Sequence, residues 1–235
     1  MALIVEVQVA RAIVPQALRP CRYRFPDPLY SDPSGLVATG GDFAPETIIE
    51  AYRRGIFPWP HPDGERLWFS PEPRAIIPVG ALHVSRRLAR TLQSGRFRVT
   101  MNAAFERVIR ACADREEGTW VTSSIIDAYC QLHELGWAQS FEVWTSDGGL
   151  AGGLYGVRIG GLFGAESMFH TVTDASKVAM VALMEEAERT SIQLVDVQVA
   201  NSHTASMGAV EIPRAEYLRR LAEAIAQPAS VVSRS

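Results

Sequence analysis

Two or three strand-like segments, 138–144, 149–157 and 158–167, follow one another with glycine pairs near their junctions. Glycine pairs at such junctions suit tight hairpin turns, so these strands are expected to pair antiparallel. Helical segments surround them. Pro45 opens a short helix, ETIIEAYRRG, for which Gly55 is a natural stop. Residues 83–92 read as a helix and 97–101 as a strand. Asn102 is placed to cap AAFERVIRACA, and Ser123 or Ser124 to cap SIIDAYCQLHEL, which ends at Gly136. Residues 174–190 form the longest amphipathic helix, 193–200 a strand, and Pro213 begins a last helix. Mixed helices and strands with hairpins predict an α+β sheet sandwich and not a doubly wound fold.

The 235 residues suffice for one large domain or two smaller ones. Residues 20–45 and 56–78 are rich in proline, glycine and aromatics. A boundary is expected near 70–73, giving a small N-terminal domain (1–72) and a larger C-terminal one (73–235). Hydrophobic residues make up 47% and charged residues 21%, and no apolar run reaches the ~20 residues a membrane helix needs. The start, MALIVEVQVARAIVP, lacks a basic opening and a clean apolar segment, so no secretory signal is expected. Cys21, Cys112 and Cys130 are isolated, with no CxxC pair, which argues for a reducing, cytoplasmic setting and against a zinc site.

Candidate chemistry concentrates in LVDVQVANSHTASMGA, 194–209. In an extended chain Asp196 and Gln198 share one face and Val195, Val197 and Val199 the other, so the polar pair is expected on a wet face. Asn201, His203, Thr204 and Ser206 follow. The pair reads either as backbone-satisfying polar residues or as a site that takes a proton from an amine. A neutral amide is a weak base, so positioning would supply most of the rate. In GLFGAESMF, 161–169, strict alternation puts Glu166 on a face with Leu162, Gly164 and Met168. A carboxylate there is costly to bury without a cation or several donors. It reads as a structural ion pair or as a group that recognises an ammonium or a hydroxyl. Trp59 and Trp120 sit in loop-like contexts that suit packing or stacking on a nucleobase.

Net charge is −3, but from Pro73 to Phe105 there is no acidic residue, while Arg74, Arg86, Arg87, Arg90, Arg96 and Arg98 all fall there. Such a stretch is either a solvated face or a phosphate-binding patch. The chain lacks a P-loop, a GxGxxG after a strand, HExxH and GxSxG, and its histidines have no metal-ligand spacing. No nucleotide or metal cofactor is expected, so an acyl group transferred here should arrive already activated.

These segments together resemble the leucyl/phenylalanyl-tRNA–protein transferases. The resemblance is carried by GLVATGGD (35–42), AYRRGIFPW (51–59), LWFSPEPRAII (67–77), RVTMNAAFERVI (98–109), EEGTWVTSSIIDAY (116–129), LFGAESMF (162–169) and DVQVANSHTASMGAVEIPR (196–214), in that order. It implies a C-terminal domain like a GCN5-type N-acetyltransferase (GNAT). It also implies transfer of Leu or Phe, and less well Met, from aminoacyl-tRNA to N-terminal Arg or Lys of acceptor proteins, which marks them for N-end-rule degradation. Asp196, Gln198 and Glu166 would then be catalytic, with Gln198 the proton acceptor. Trp59 and Trp120 would hold the terminal adenosine. Leu154, Phe163, Met168, Met180 and Leu183 would form the amino-acid side-chain pocket, and Arg74, Arg86, Arg87 and Arg90 would contact tRNA phosphates. The rival readings are a Fem-like aminoacyl-tRNA-dependent cell-wall peptidyltransferase and a non-catalytic module that binds tRNA ends.

Overall fold

A computed structural model describes residues 5–61, 64–114 and 121–227. In chain order its elements are β1 (Val7–Val9), β2 (Leu36–Thr39), α1 (Pro45–Arg53), β3 (Phe57–Pro58), β4 (Leu67–Phe69), β5 (Arg74–Ile77), α2 (Arg86–Gln93) and β6 (Phe97–Met101). They continue with α3 (Phe105–Ala113), α4 (Ser123–Glu134), β7 (Ala138–Thr145), β8 (Leu150–Ile159), β9 (Leu162–His170), α5 (Ala175–Arg189), β10 (Leu194–Gln198), α6 (Ser202–Ser206), β11 (Val210–Ile212) and α7 (Arg214–Ile225).

The expected hairpins are present. β6, β7, β8 and β9 form an antiparallel meander. Ile159 pairs with Leu162, leaving Gly160 and Gly161 as a two-residue loop in which Gly160 takes φ +55. After β9 the chain crosses over through α5 and returns as β10, parallel to β9. A parallel neighbour needs such a crossover, and the 15-residue α5 supplies it. The full sheet has eight strands in the order β1-β6-β7-β8-β9-β10-β5-β11.

Helices cover both faces of this sheet. On one side α5 and Leu88 of α2 pack on Ala75, Ile77, Val99, Phe141, Leu154, Phe163 and Val195. On the other, α1, α3, α4 and α7 pack on Ile76, Tyr155, Val157, Leu162 and Leu194. A second sheet, β2-β4-β3, joins this latter core through Phe57 and Trp68. Residues before the expected boundary serve both sheets, because β1 lies at an edge of the large one.

Two capping expectations change. Asn102 does not cap α3; it has φ +61, its side-chain oxygen accepts from the Ser140 amide, and its side-chain amide donates to Arg11. The first amides of that turn, Ala103 and Ala104, donate instead to the buried carboxylate of Glu142. The cap of α4 is Thr122, whose hydroxyl accepts from the Ile125 amide at 3.4 Å, not Ser123 or Ser124.

Gly156 of β8 is crowded by β9. A Cβ there would sit 2.3 Å from the Gly164 carbonyl oxygen and 2.5 Å from the Phe163 ring. Gly156→Ala is expected to destabilise the protein by about 1–3 kcal/mol, measured by urea unfolding.

Candidate active site

Two irregularities in the large sheet build the site. Across the β8–β9 pair, Tyr155 faces Ser167 and Gly156 faces Ala165, so Glu166 is an extra residue with no partner on β8. Across the β10–β5 pair, Asp196 faces Ile76 and Gln198 faces Ala75, so Val197 is extra. A bulge re-aims side chains and flips the alternation beyond it. Met168 accordingly packs with the core of Phe163 and Ala165, and Phe169 with that of Leu162. The strict alternation expected for 161–169 fails at Glu166 for this reason.

The expected wet face of β10 is also corrected. Asp196 is fully buried and Gln198 is 8% exposed, while Val199 is 39% exposed. Asp196 takes Arg74 as a bidentate partner, Nε to Oδ1 at 2.9 Å and Nη2 to Oδ2 at 2.6 Å. The Tyr217 hydroxyl donates to Oδ2 at 2.8 Å and the Gln198 backbone amide to Oδ1 at 2.9 Å. Four donors therefore saturate the carboxylate. Arg74 gives its remaining Nη1 to the Gly55 carbonyl at 3.0 Å and lies between the rings of Phe57 and Tyr217. Burial works against its charge, but Asp196 outweighs that and raises the guanidinium pKa above its usual range. Arg74 is thus an internal partner of Asp196. With 1% exposure it cannot serve as the phosphate contact that the sequence suggested.

Asp196 supports Gln198 through the backbone. Gln198 has φ +63, and Val199 N donates to Val197 O at 2.7 Å across it, closing a three-residue turn. A non-glycine residue held in this region costs about 1–3 kcal/mol and needs surrounding structure to fix it. The turn directs the Gln198 side chain to β9, where Nε2 donates to Glu166 Oε1 at 2.9 Å.

Glu166 faces the same side as Tyr52 of α1 and Tyr129 of α4. Their hydroxyls are 2.8 Å apart, and that of Tyr129 donates to Glu166 Oε2 at 3.3 Å. Burial pushes the Glu166 carboxyl up to about 7, with the charge of Asp196 acting the same way. The tyrosine hydroxyls and the Gln198 amide favour the ionised form and only partly offset this. Burial holds Tyr52 and Tyr129 well above the usual phenol range, so they stay neutral donors.

Glu166 and Gln198 open onto a cleft of about 910 Å³, with Tyr52, Tyr129 and Asp196 buried behind them. Its walls come from Trp59, from β9 beyond the bulge (Ala165–Thr171) and from Val197–Val199 and α6. Trp59 is 41% exposed and meets Phe57 and Phe69 at ring distances of 6.1 and 6.0 Å. Trp120 lies outside the described residues. Of the five residues expected in a side-chain pocket, Met168 lines the cleft, and Leu154, Phe163, Met180 and Leu183 are fully buried in the core behind it. Asn201 and Thr204, part of the polar run after β10, mainly cap α6 reciprocally. His203 lines the cleft, and burial, then Lys177 and His170, keep its pKa low. Arg86, Arg87 and Arg90 are exposed on α2, outside the cleft, with Arg87 paired to Asp174. Among the described residues no group of three or more His, Cys, Asp or Glu could hold a metal ion.

A family described as leucyl/phenylalanyl-tRNA protein transferase matches residues 76–222, and its N-terminal domain matches 41–72. The chain belongs to this family. A relative from Anaeromyxobacter sp. (strain K), named leucyl/phenylalanyl-tRNA–protein transferase, is 52% identical over 208 residues, spanning 87% of this chain and 89% of the relative. One of the same name from Escherichia coli O1:K1 is 50% identical over 200 residues, 84% of this chain and 85% of that one.

In this member of the leucyl/phenylalanyl-tRNA–protein transferase family, four residues hold the site; Tyr52, Tyr129 and Tyr217 were not singled out from the sequence, and Arg74 was assigned there to tRNA phosphate. A signal was present for the tyrosines of α1 and α4. Each sits at an apolar helical position, in IIEAY and SIIDAY, where a buried hydroxyl needs a partner. Asp196→Ala leaves the Arg74 guanidinium buried without its partner and is expected to cost about 3–5 kcal/mol. Gln198→Ala removes a cleft side chain and should cost less than about 1.5 kcal/mol. Equilibrium unfolding of the two variants checks this order.

Proposed function

We propose that this chain transfers Leu or Phe, and less well Met, from its tRNA to N-terminal Arg or Lys of acceptor proteins. The products enter N-end-rule degradation in the cytoplasm. The observation that carries the reading is the family match over most of the chain, together with a cleft in which a buried carboxylate orients a carboxamide. We read residues 1–72 as a small N-terminal domain and the remainder as a GNAT-like one.

The chemistry follows from the ester. The acceptor α-amine attacks the carbonyl carbon of the aminoacyl ester. A C–N bond forms, the ester C–O bond breaks, and the tRNA 3′-oxygen leaves with a proton. The ester is already activated, so no ATP is consumed. The amine must give up a proton, and Gln198 Oε1 is the acceptor at the cleft wall. An amide is a weak base, so the rate comes from alignment of amine and ester. Trp59 offers its exposed face to the terminal adenosine. Trp120 is assigned the same role by resemblance. Met168, Ala165 and Val197 form the apolar wall for the transferred side chain. Leu154, Phe163, Met180 and Leu183 set the shape of that wall from behind. The exposed arginines of α2 grip acceptor-stem phosphates without reading sequence.

With labelled Leu-tRNA, an acceptor protein beginning with Arg, and no ATP, label is expected to move to the protein. No transfer with tRNA still bound would favour a binding module. A transfer only to cell-wall precursor would favour the Fem-like activity. Replacing Arg86 and Arg90 with Gln should weaken tRNA binding and make the log–log salt slope shallower by about 2. An unchanged slope makes α2 a solvated face.

A further inference from the structure

We infer that Glu166 is a positioning residue that decides which end of the Gln198 carboxamide meets the substrate amine. The inference rests on the cleft being the transfer site and goes beyond it by assigning the orientation to one group. An ionised carboxylate has acceptors and no donor, so the amide end turned to it must be the NH₂ group. That is the arrangement present, with Gln198 Nε2 donating to Glu166 Oε1 at 2.9 Å. The two ends of a carboxamide point apart, so Oε1 is turned from Glu166. Little else about Gln198 is free to vary. Its backbone is fixed by the Asp196 carboxylate and by the turn from Val197 to Val199. The side chain retains one choice, which end of the amide faces Glu166.

Protonation reverses that choice. With the Tyr129 hydroxyl donating to Oε2, the proton is placed on Oε1, the oxygen that faces Gln198, which becomes a donor and pairs with the amide oxygen. The amide then turns over and presents NH₂ to the incoming amine, where two donors face each other and no acceptor remains. The groups that face Glu166 come from five elements: Tyr52 of α1, Tyr129 of α4, Asp196 of β10, and behind it Arg74 of β5 and Tyr217 of α7. Arg74 is engaged by Asp196 and Gly55, and among the described residues Glu166 has no ion pair. Burial accordingly brings the carboxyl up to about 7. The productive orientation is present above that pH and is lost as pH falls through it.

The test is the pH dependence of kcat with saturating Leu-tRNA and a peptide acceptor. The wild type is expected to lose rate below a midpoint near 7, the pH at which Glu166 titrates. Glu166→Gln should lack that limb and lower kcat by about 10–100-fold, with KM for Leu-tRNA within about twofold. Tyr129→Phe removes a donor that favours the ionised carboxylate, so it should move the limb to higher pH. It keeps the Gln198 contact and carries the test if Glu166→Gln does not fold. A limb that stays in place in Tyr129→Phe, or that persists in Glu166→Gln, overturns the inference and assigns the limb to the acceptor amine. That amine titrates near pH ~7.7–8.0. Wild-type protein that transfers nothing at any pH overturns the proposed function instead.

Discussion

The buried ion pair of Arg74 and Asp196 organises the rest of the site. Two opposite charges are removed from water between β10 and β5, toward one edge of an eight-stranded sheet. Their desolvation is offset because each nitrogen of Arg74 and each oxygen of Asp196 has a partner, supplied beyond the pair itself by Gly55, Tyr217 and the Gln198 amide. The pair ties β5 to β10, fixes the turn at Gln198, and clamps α7 to the sheet through Tyr217. A hydrophobic pair could fill the same space, but it would offer nothing to the Gln198 backbone, and the strained turn would have no anchor.

Glu166 occupies a different regime. It has hydroxyl and amide donors but, among the described residues, no ion pair, and burial pushes its carboxyl up to about 7. Two carboxylates on adjacent strands thus divide the work. Asp196 holds backbone geometry through its four donors; Glu166 meets the Gln198 side chain at the cleft.

Much of this was legible in the sequence and some was not. The glycine-turned strands and the long helix before β10 were readable because period and turn chemistry are local signals. Glu166 and Gln198 at the cleft, and Asp196 behind them, were readable as well, because polar side chains stand out in an apolar strand. Their exposure was misread for a physical reason. Alternation assumes an unbroken ladder, and both strands carry one residue more than the partner strand can pair with. Nothing in GAESMF or VDVQV marks the extra residue, because a bulge is set by the neighbouring strand. Arg74 was misread because a run of arginines suggests solvent, whereas the carboxylate that takes it inside lies 122 residues away. The caps failed more narrowly, since Glu142 reached α3 from another strand where a local Asn was expected.

That same separation bears on how the protein is made. Arg74 leaves the ribosome long before Asp196, and Tyr217 follows 143 residues after Arg74. Until β10 and β11 arrive, the β5 strand lacks both of its sheet neighbours, and until Tyr217 follows, the Asp196 carboxylate lacks one of its four donors. The carboxylate network is complete only once α7 is in place, and a nascent chain that stops short of α7 lacks the Tyr217 hydroxyl that saturates Asp196.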